Sequence, residues 1–433
     1  MELAVLVALL ATLQLYANTA TSATEFKCYN TLVTDEWRQM VLDRHNELRR
    51  RLADGKQRGK TTNLPAGNLN QLNWDCQMEM LIDEKIGECN VNTAVPANAA
   101  YGSAKEMVSV KGSEKCDPTS ITKTALNKWW KDGAAKQENN KVVADNSFSQ
   151  MAVGTADGFA CSYKRCGGNL FLVCFYNKKT PNVDPAAPKD LYTTTGGNCG
   201  DCPEDPNNPP KKVACIAFLC QYPLQAAKID LKMCGKDPCP GTFSDEFRVT
   251  ALNMHNYYRR LAATGWAKTG DKYAKTASKM VELQYDKDLE TKANAWVTAA
   301  NCPTAAEGGP AGENFFKTTK FNTPHIEAFK EAMKSWWTPV EKSGFGNEPT
   351  YTDKIENSDL KYAANILHDT STKIGCAVKT CAPQGSLVID CRYDSPLSTD
   401  DPIYTTGKVC SKCRDVAGHT SCSNLGGLCV APP

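Results

Sequence analysis

The chain has 433 residues, and its 50 Lys and Arg nearly balance its 48 Asp and Glu, which gives a formal net charge of +2. The length exceeds that of one ordinary domain, and the balanced charge provides no long-range attraction to nucleic acid, which we exclude as a partner. The 21 cysteines are typical of an oxidising compartment. Because 21 is odd, at least one thiol is free or pairs with another chain, so a dimer through an unpaired cysteine stays open.

The first 23 residues contain an apolar run from Leu3 to Leu15, followed by small residues. This run is too short to cross a hydrocarbon core of about 30 Å. The small residues after it offer cleavage sites, so residues 1–23 are predicted to be a secretory signal peptide. No later stretch is apolar enough for stable membrane insertion. We therefore expect a secreted, extracellular protein.

The remaining sequence repeats itself once. DEWRQMVLDRHNELRRRLADG at residues 35–55 is answered by DEFRVTALNMHNYYRRLAATG at residues 245–265, a separation of 210 residues. Later motifs recur in the same order: LNWD and LQYD, two Trp pairs, two cysteine-flanked segments and two C-x-Y segments. The chain is therefore a duplicated domain, and its period is too long for a solenoid.

Each copy is predicted to open with a helix. Thr34 and Ser244 are N-cap candidates followed by Asp and Glu, which favour the positive end of the helix dipole. Apolar residues then follow one helical face, and this stripe includes His45 and His255. Both histidines are therefore predicted to be buried core residues with a ring nitrogen hydrogen-bonded within their own domain. The basic stretch at 49–60 is interpreted as a solvated helix end and loop, with a site for anionic glycans or lipid headgroups as the alternative.

Helical periodicity and composition predict four more helices, whereas β-branched and aromatic residues predict four strands next to cysteines. Such helices beside an antiparallel sheet indicate a three-layer α+β arrangement. The predicted helices span 75–89, 121–135, 284–301 and 324–338, and the predicted strands span 158–164, 170–176, 373–379 and 387–393.

The segment between the copies is rich in Pro, Gly, Asn and Asp, and it leads into a cluster of cysteines that recurs at the end of the chain. Two C-x-x-C pairs, Cys199/Cys202 and Cys410/Cys413, are the only hint of a zinc knuckle. Because the chain is expected to be secreted and no histidines align with these pairs, we predict small disulfide knots instead.

These motifs resemble the CAP superfamily of cysteine-rich secretory proteins, venom allergens and plant pathogenesis-related proteins. The resemblance is carried by the HN helix, the WD/YD motif, Gly312-Glu313-Asn314, the Trp pairs and the C-x-Y strands. Two such domains in tandem are similar to the double-domain, activation-associated secreted proteins of parasitic nematodes. The resemblance implies two α-β-α sandwiches, each followed by a disulfide-rich hinge. The expected boundaries are 28–180 and 239–398 for the CAP domains, 181–238 for the first hinge and linker, and 399–433 for the C-terminal hinge.

The resemblance also implies a central cleft, in which two His and two Glu of many family members can bind a divalent cation such as zinc. In the second copy these positions fall on Ala306, Glu313, Pro339 and Tyr362, with Glu341 displaced by two residues from Pro339. In the first copy they fall on Thr93, Lys105, Asp132 and Ser147, and a one-residue slip would exchange Lys105 for Glu106. Only Glu313 matches the family pattern, so we predict a degenerate cleft with no metal, no cofactor and no catalytic residue.

Three functions remain open at this point. The first is a secreted, non-enzymatic binding protein at a host–parasite boundary, whose partner is a host protein or a lipid or sterol bound through the clefts and loops. The second is a degenerate hydrolase, although Glu313 without its histidines is a poor acid or base. The third is a disulfide-linked oligomeric structural protein, suggested by the odd cysteine.

Overall fold

The computed structural model describes residues 25–110, 117–227, 243–299, 302–308 and 312–432. The predicted signal peptide lies outside the described residues, as do Cys116, Cys234 and Cys239. Within the described part, no helix is both long and apolar enough to cross a membrane.

The first domain places one four-stranded sheet between helices. β3 and β4 form a hairpin, β2 pairs antiparallel with the outer side of β4, and β1 pairs in parallel with β3, so the strand order is β1-β3-β4-β2. The helices α1, α3 and α4 pack on one side and α2 contacts β3 and β4. Its elements are α1 (Asp35–Ala53), β1 (Asn73–Trp74), α2 (Cys76–Ile86), β2 (Gly102–Ser109), α3 (Pro118–Ala134), α4 (Ser147–Ala152), β3 (Gly158–Cys166) and β4 (Asn169–Tyr176).

The second domain repeats this topology with the strand order β9-β11-β12-β10. α6 lies so close to the sheet that a Cβ added at Gly375 would come within 2.1 Å of the Glu290 nitrogen. Its elements are α5 (Asp245–Ala263), β7 (Lys268–Thr269), β8 (Lys272–Tyr273), β9 (Gln284–Tyr285), α6 (Lys287–Val297), β10 (Gly312–Thr318), α7 (His325–Ser343), α8 (Asp353–Glu356), α9 (Leu360–Leu367), β11 (Lys373–Cys381) and β12 (Ser386–Tyr393). The expected tandem α+β fold is confirmed.

In the described part of the chain, the hinges contain short strands and one 3-10 turn (Cys413–Asp415), and disulfides hold them. The first hinge pairs β5 (Cys215–Ile216) with β6 (Leu219–Cys220), and the second pairs β13 (Ser421–Cys422) with β14 (Cys429–Val430). All four cysteines of the two C-x-x-C pairs form disulfides, which confirms the predicted knots. The disulfides among the described residues are 28–76, 89–166, 161–174, 199–215, 202–220, 302–381, 376–391, 410–422 and 413–429.

The repeated HN motif is part of the core. His45 is fully buried; its Nδ1 lies 2.8 Å from the Val41 carbonyl and its Nε2 lies 2.9 Å from the Tyr176 hydroxyl. Because a carbonyl only accepts, a neutral ring carries its proton on Nδ1, and Tyr176 donates to Nε2. The motif thus ties α1 to the tyrosine of the C-x-Y strand, and the prediction of core histidines is confirmed. The second copy has the same contacts, from His255 to the Ala251 carbonyl at 2.7 Å and to the Tyr393 hydroxyl at 2.8 Å.

The first arginine of each RR pair is also buried, which corrects the interpretation of residues 49–60 as wholly solvated. Arg49 has no exposed surface, and its guanidinium donates to the backbone carbonyls of Asn70, Met151 and Val153 at 2.8–3.0 Å. Arg259 binds four carbonyls in the same way. The planar guanidinium with five donors suits such a set of backbone acceptors. Each of these two arginines therefore joins the first helix of its domain to backbone segments that come much later in the chain.

The two domains touch through the N-terminal segment and the C-terminal hinge. Tyr29 and Tyr257 meet edge to face with ring centroids 5.6 Å apart, and the Lys27 ammonium lies 3.2 Å from Glu327. On the other side, a Cβ added at Gly87 would meet the Asn424 side chain at 2.4 Å. The second hinge therefore packs on the first domain.

Candidate binding clefts

Glu313 is the one family-type carboxylate in the second cleft, and internal donors already engage it. It lies on β10 opposite Arg392 of β12, and one carboxylate oxygen is 3.2 Å from the Arg392 guanidinium. The backbone N–H groups of Glu307 and Gly308 donate to the two carboxylate oxygens at 2.8 and 2.9 Å. Only 6% of the Glu313 side chain is exposed. Its charge is therefore balanced from within the domain.

Arg392 serves two further carboxylates. Its Nε donates to the fully buried Asp390 at 2.6 Å, and its Nη2 lies 2.8 Å from Glu307, which is half exposed. Burial raises the pKa of Asp390 to about 8, and the neighbouring charge of Glu313 adds to this effect while Arg392 opposes it. One guanidinium thus holds the positive charge for three carboxyl groups.

The other predicted residues of the second cleft offer no imidazole. Tyr362 on α9 lies near Glu313: its carbonyl accepts from Asn314 at 2.9 Å, and its pKa is raised by burial, then by Asp359 and Glu313. Pro339 lies inside α7, and Ala306 is exposed in the loop before β10. The residues present do not fit the family's zinc set, because a carboxylate paired with arginine stands beside alanine, proline and tyrosine.

In the first domain, the strand register changes the residue that corresponds to Glu313. Gly312 and Glu313 face Tyr393 and Arg392 on β12, whereas Gly102 and Ser103 face Tyr176 and Phe175 on β4. Ser103 therefore occupies the place of Glu313, at the same separation as the HN motifs, 313 − 103 = 210. Lys105 and Glu106 lie two and three residues further along β2.

The remaining first-domain residues fall into two groups. Lys105 donates to the Ala94 carbonyl at 2.8 Å, next to the exposed Thr93, and burial lowers the pKa of Lys105. On α3, Lys128 lies 3.6 Å from Glu106 and 3.5 Å from Asp132, while Trp129 Nε1 donates to Glu106 at 2.5 Å. Ser147 begins α4, and Asp145 just before this helix acts electrostatically on Lys105. The structure does not bring these residues together as one ligand set.

The histidines outside the HN motifs also make other contacts. His325 begins α7 and lies 3.1 Å from the Thr380 hydroxyl, whereas His368 contacts the Ser395 carbonyl at 3.2 Å. In the described part of the chain, two groups of three metal-ligand residue types come close together, His45/Cys161/Cys174 and Cys199/Cys202/Cys220. Their cysteines are all in disulfides and have no thiolate to offer.

Sequence reasoning missed the three residues that decide the chemistry of the clefts, namely Ser103, Asp390 and Arg392. A signal for two of them exists in SLVIDCRY, because Asp390 and Arg392 interrupt an apolar strand on the same face at a spacing of two. Ser103 could be found only from the pairing of β2 with β4.

Comparison with known proteins supports the tandem fold. The model of the CAP family, described as the cysteine-rich secretory protein family, matches residues 42–176 and 252–393. The chain is 30% identical over 435 residues to the Ancylostoma secreted protein of Ancylostoma caninum, covering 94% of each. It is 29% identical to hookworm platelet inhibitor 1 of the same species, over 42% of this chain and 79% of that protein.

Among solved structures, the crystal structure of Na-ASP-1 matches with 27% identity over 94% of this chain and 100% of that chain, with a TM-score of 0.43. The two family matches lie one in each domain, and each begins within the HN helix and ends at the C-x-Y tyrosine. The chain therefore belongs to the CAP family, as a double-domain member related to hookworm secreted proteins.

Proposed function

We propose that this chain is a secreted, non-enzymatic binding protein whose partner is a host protein. The observation that carries the proposal is the internal neutralisation of Glu313 by Arg392, at 3.2 Å, in a cleft without imidazole. A general acid or base needs a titratable group free to reach the substrate. Here the single family carboxylate is paired, and its counterpart in the first domain is Ser103.

The layout that we propose for this function follows the expected boundaries. Domains at 28–180 and 239–398 would be the binding units, residues 181–238 and 399–433 the hinges, and residues 1–23 the secretion signal. The disulfide-braced sheets would present the loops around each cleft as a preformed surface, which lowers the entropic cost of association.

The name of hookworm platelet inhibitor 1 makes platelets a reasonable first target. The full mature chain, fluorescently labelled, should bind washed human platelets or leukocytes saturably, and unlabelled protein should displace it. Binding should survive EDTA, because the clefts hold no zinc ligand set. Absence of saturable binding to both cell types, or its loss with EDTA and return with zinc, would contradict the proposal.

The alternatives are distinguished by two further measurements. Saturable binding of a fluorescent sterol at micromolar concentration, without binding to cells, would indicate that the protein is a lipid carrier. Turnover of a broad peptide library that is abolished by Glu313→Gln, but retained by Glu348→Gln at an exposed position outside the cleft, would establish a hydrolase. Migration as a disulfide-linked dimer on a non-reducing gel would support the oligomeric reading.

A further inference from the structure

A cavity of about 1100 Å³ lies between the two domains. The first domain contributes the segment before α1 and the start of α1, and the second contributes α5, the β7–β8 hairpin and α7. The volume slightly exceeds the range of small-molecule sites, about 300–1,000 Å³. It is therefore large enough for a short segment of another chain.

Aromatic side chains form a continuous wall of this cavity. Tyr29 of the first domain meets Tyr257 at 5.6 Å, Tyr257 meets Tyr258 at 5.2 Å, and Tyr258 stacks on Trp337 at 4.4 Å. Trp337 is 2% exposed, and its indole N–H has no hydrogen-bond acceptor among the described residues. Because this N–H is itself closed to solvent, Trp337 backs the wall behind Tyr258 and does not face the cavity space.

A second aromatic pair stands at the rim. Trp266, just before β7, and Tyr273, on β8, are 64% and 55% exposed, and their rings lie 6.3 Å apart. The first domain has Lys56 at the position of Trp266, 266 − 56 = 210. The first domain therefore lacks this tryptophan, and the aromatic pair is found in the second domain alone.

The charges that act on the aromatic wall are mainly negative. Burial raises the pKa of Tyr29 and of Tyr258, and Glu25 raises both further. Glu341 acts in the same direction on Tyr258 and on Tyr257. No ion pair is formed by Glu25 or Glu341 within the described ranges.

The cations around the cavity cancel these carboxylates only in part. Arg38 is held by Glu79 at 2.7 Å and by Asp35 at 2.8 Å, and both Lys27 and Lys330 pair with Glu327. The lining residues that form no ion pair among the described residues are two lysines and three glutamates, at 268, 334, 25, 36 and 341, which leaves an excess of one negative charge. The aromatic faces together with unpaired carboxylates suit an organic cation, which the negative face of an aromatic ring attracts.

We infer that this interdomain cavity binds an extended basic segment of a partner protein, with an arginine or lysine side chain between the aromatic wall and Glu341. The cavity includes neither CAP cleft, so a test of this inference is independent of a test of the proposed function.

The test titrates the full mature chain with a capped peptide of alternating glycine and arginine and follows tryptophan fluorescence. A peptide with glutamine in place of arginine is the matched ligand control. The expected result is saturable binding of the arginine peptide alone, weakened by salt because part of the site is open to solvent.

Two variants locate the binding. Glu341→Gln and Trp266→Ala change exposed side chains, so the fold is expected to survive, and each should weaken binding about three- to ten-fold, the range of one cation–aromatic or charge contact. The controls are Glu348→Gln and Phe218→Ala, at exposed positions outside the cavity lining.

Equal binding of the glutamine peptide would overturn the inference, as would unchanged affinity in both cavity variants or no binding at millimolar peptide. Choline that displaces the arginine peptide at equal concentration would assign the cavity to a small organic cation and would also overturn the peptide assignment. Because Trp266→Ala removes one of the tryptophans whose fluorescence is followed, the affinity of this variant is also measured by isothermal titration calorimetry.

Discussion

The two domains have sheets of the same topology, but these sheets differ on the face that lies under the second helix of each sandwich. The first domain has Ser103, Val173 and Phe175 there, with the last two fully buried. The second has Glu313, Asp390 and Arg392 at the same register. The same backbone thus accepts either an apolar pair or a buried guanidinium with its carboxylates. The second domain has the family glutamate together with the cation that neutralises it, whereas the first domain has neither at these positions.

The largest expected effect comes from removing that cation. Arg392→Ala should lower the free energy of unfolding of the second domain by about 3–5 kcal/mol, because Glu313 would stay buried without a counter-charge and Asp390 would lose its hydrogen-bond donor. Differential scanning calorimetry of the full chain, which follows the transitions of both domains, measures the change.

The matched control copies the first domain into the second with Glu313→Ser, Asp390→Val and Arg392→Phe together. Replacing a buried ion network with apolar residues is often neutral or stabilising, so this triple variant should be close to the wild type. A triple variant as unstable as Arg392→Ala would mean that the two sheet faces are not interchangeable.

The next effect is a pH dependence common to both domains. Burial lowers the pKa of His45 and His255 to about 3, from an ordinary value near 6.5. Between these pH values the unfolded chain binds a proton that the folded chain does not, so stability is lost as the pH falls below 6.5. At about 1.4 kcal/mol per pH unit, each domain should lose about 2–3 kcal/mol by pH 4.5.

His45→Gln isolates this contribution in one domain. Urea unfolding at pH 7 and pH 4.5 should show a smaller acid loss for the first domain of the variant and an unchanged loss for the second. Identical pH dependence of the variant and the wild type would show that His45 does not stay neutral in the fold.

A smaller and symmetric effect is expected at the helix caps. The hydroxyls of Thr34 and Ser244 each accept a backbone N–H at 3.2 Å. Thr34→Ala and Ser244→Ala should each cost about 1 kcal/mol, measured by thermal unfolding, whereas Thr34→Ser should cost little. A large difference in stability loss between the two alanine variants would show that the two helices are not equivalent.

The smallest effect is expected at the contact between the domains. Lys27 and Glu327 are each 43% exposed, and exposed ion pairs contribute about 0–1 kcal/mol. Lys27→Met should therefore change stability by less than about 1 kcal/mol, and by no more than Lys60→Met, which removes an ion pair within the first domain. If Lys27→Met loses much more stability than Lys60→Met, and 0.5 M NaCl abolishes the difference, the ion pair contributes substantially to holding the two domains together.

Repetition and helical period were enough to predict the fold from the sequence. The first helices begin at the predicted caps, and the strands next to the cysteines lie within one or two residues of their predicted ends. The edge strands β2 and β10 were not predicted, since GSAKEMVS and GENFFKT carry charges that mask the alternation of a strand.

The candidate site was predicted less well than the fold because it depends on contacts between distant segments. Arg49 looked like part of a basic surface, and only the carbonyls of residue 70 and of residues 151–154 make it a buried donor. Similarly, the position of Lys105 depends on the pairing of β2 with β4, which no local pattern specifies. The cavity between the domains follows from their docking and has no counterpart within a single copy.

The packing of the second hinge on the first domain has a consequence for biosynthesis. Leu425 packs against the first core, and Asn424 lies against Gly87, yet the ribosome delivers them more than 300 residues after that surface, 424 − 87 = 337. Domains generally fold in order as they are synthesised. The first domain must therefore fold with this surface uncovered, and the contact between the two halves can form only after residues 424 and 425 have been synthesised.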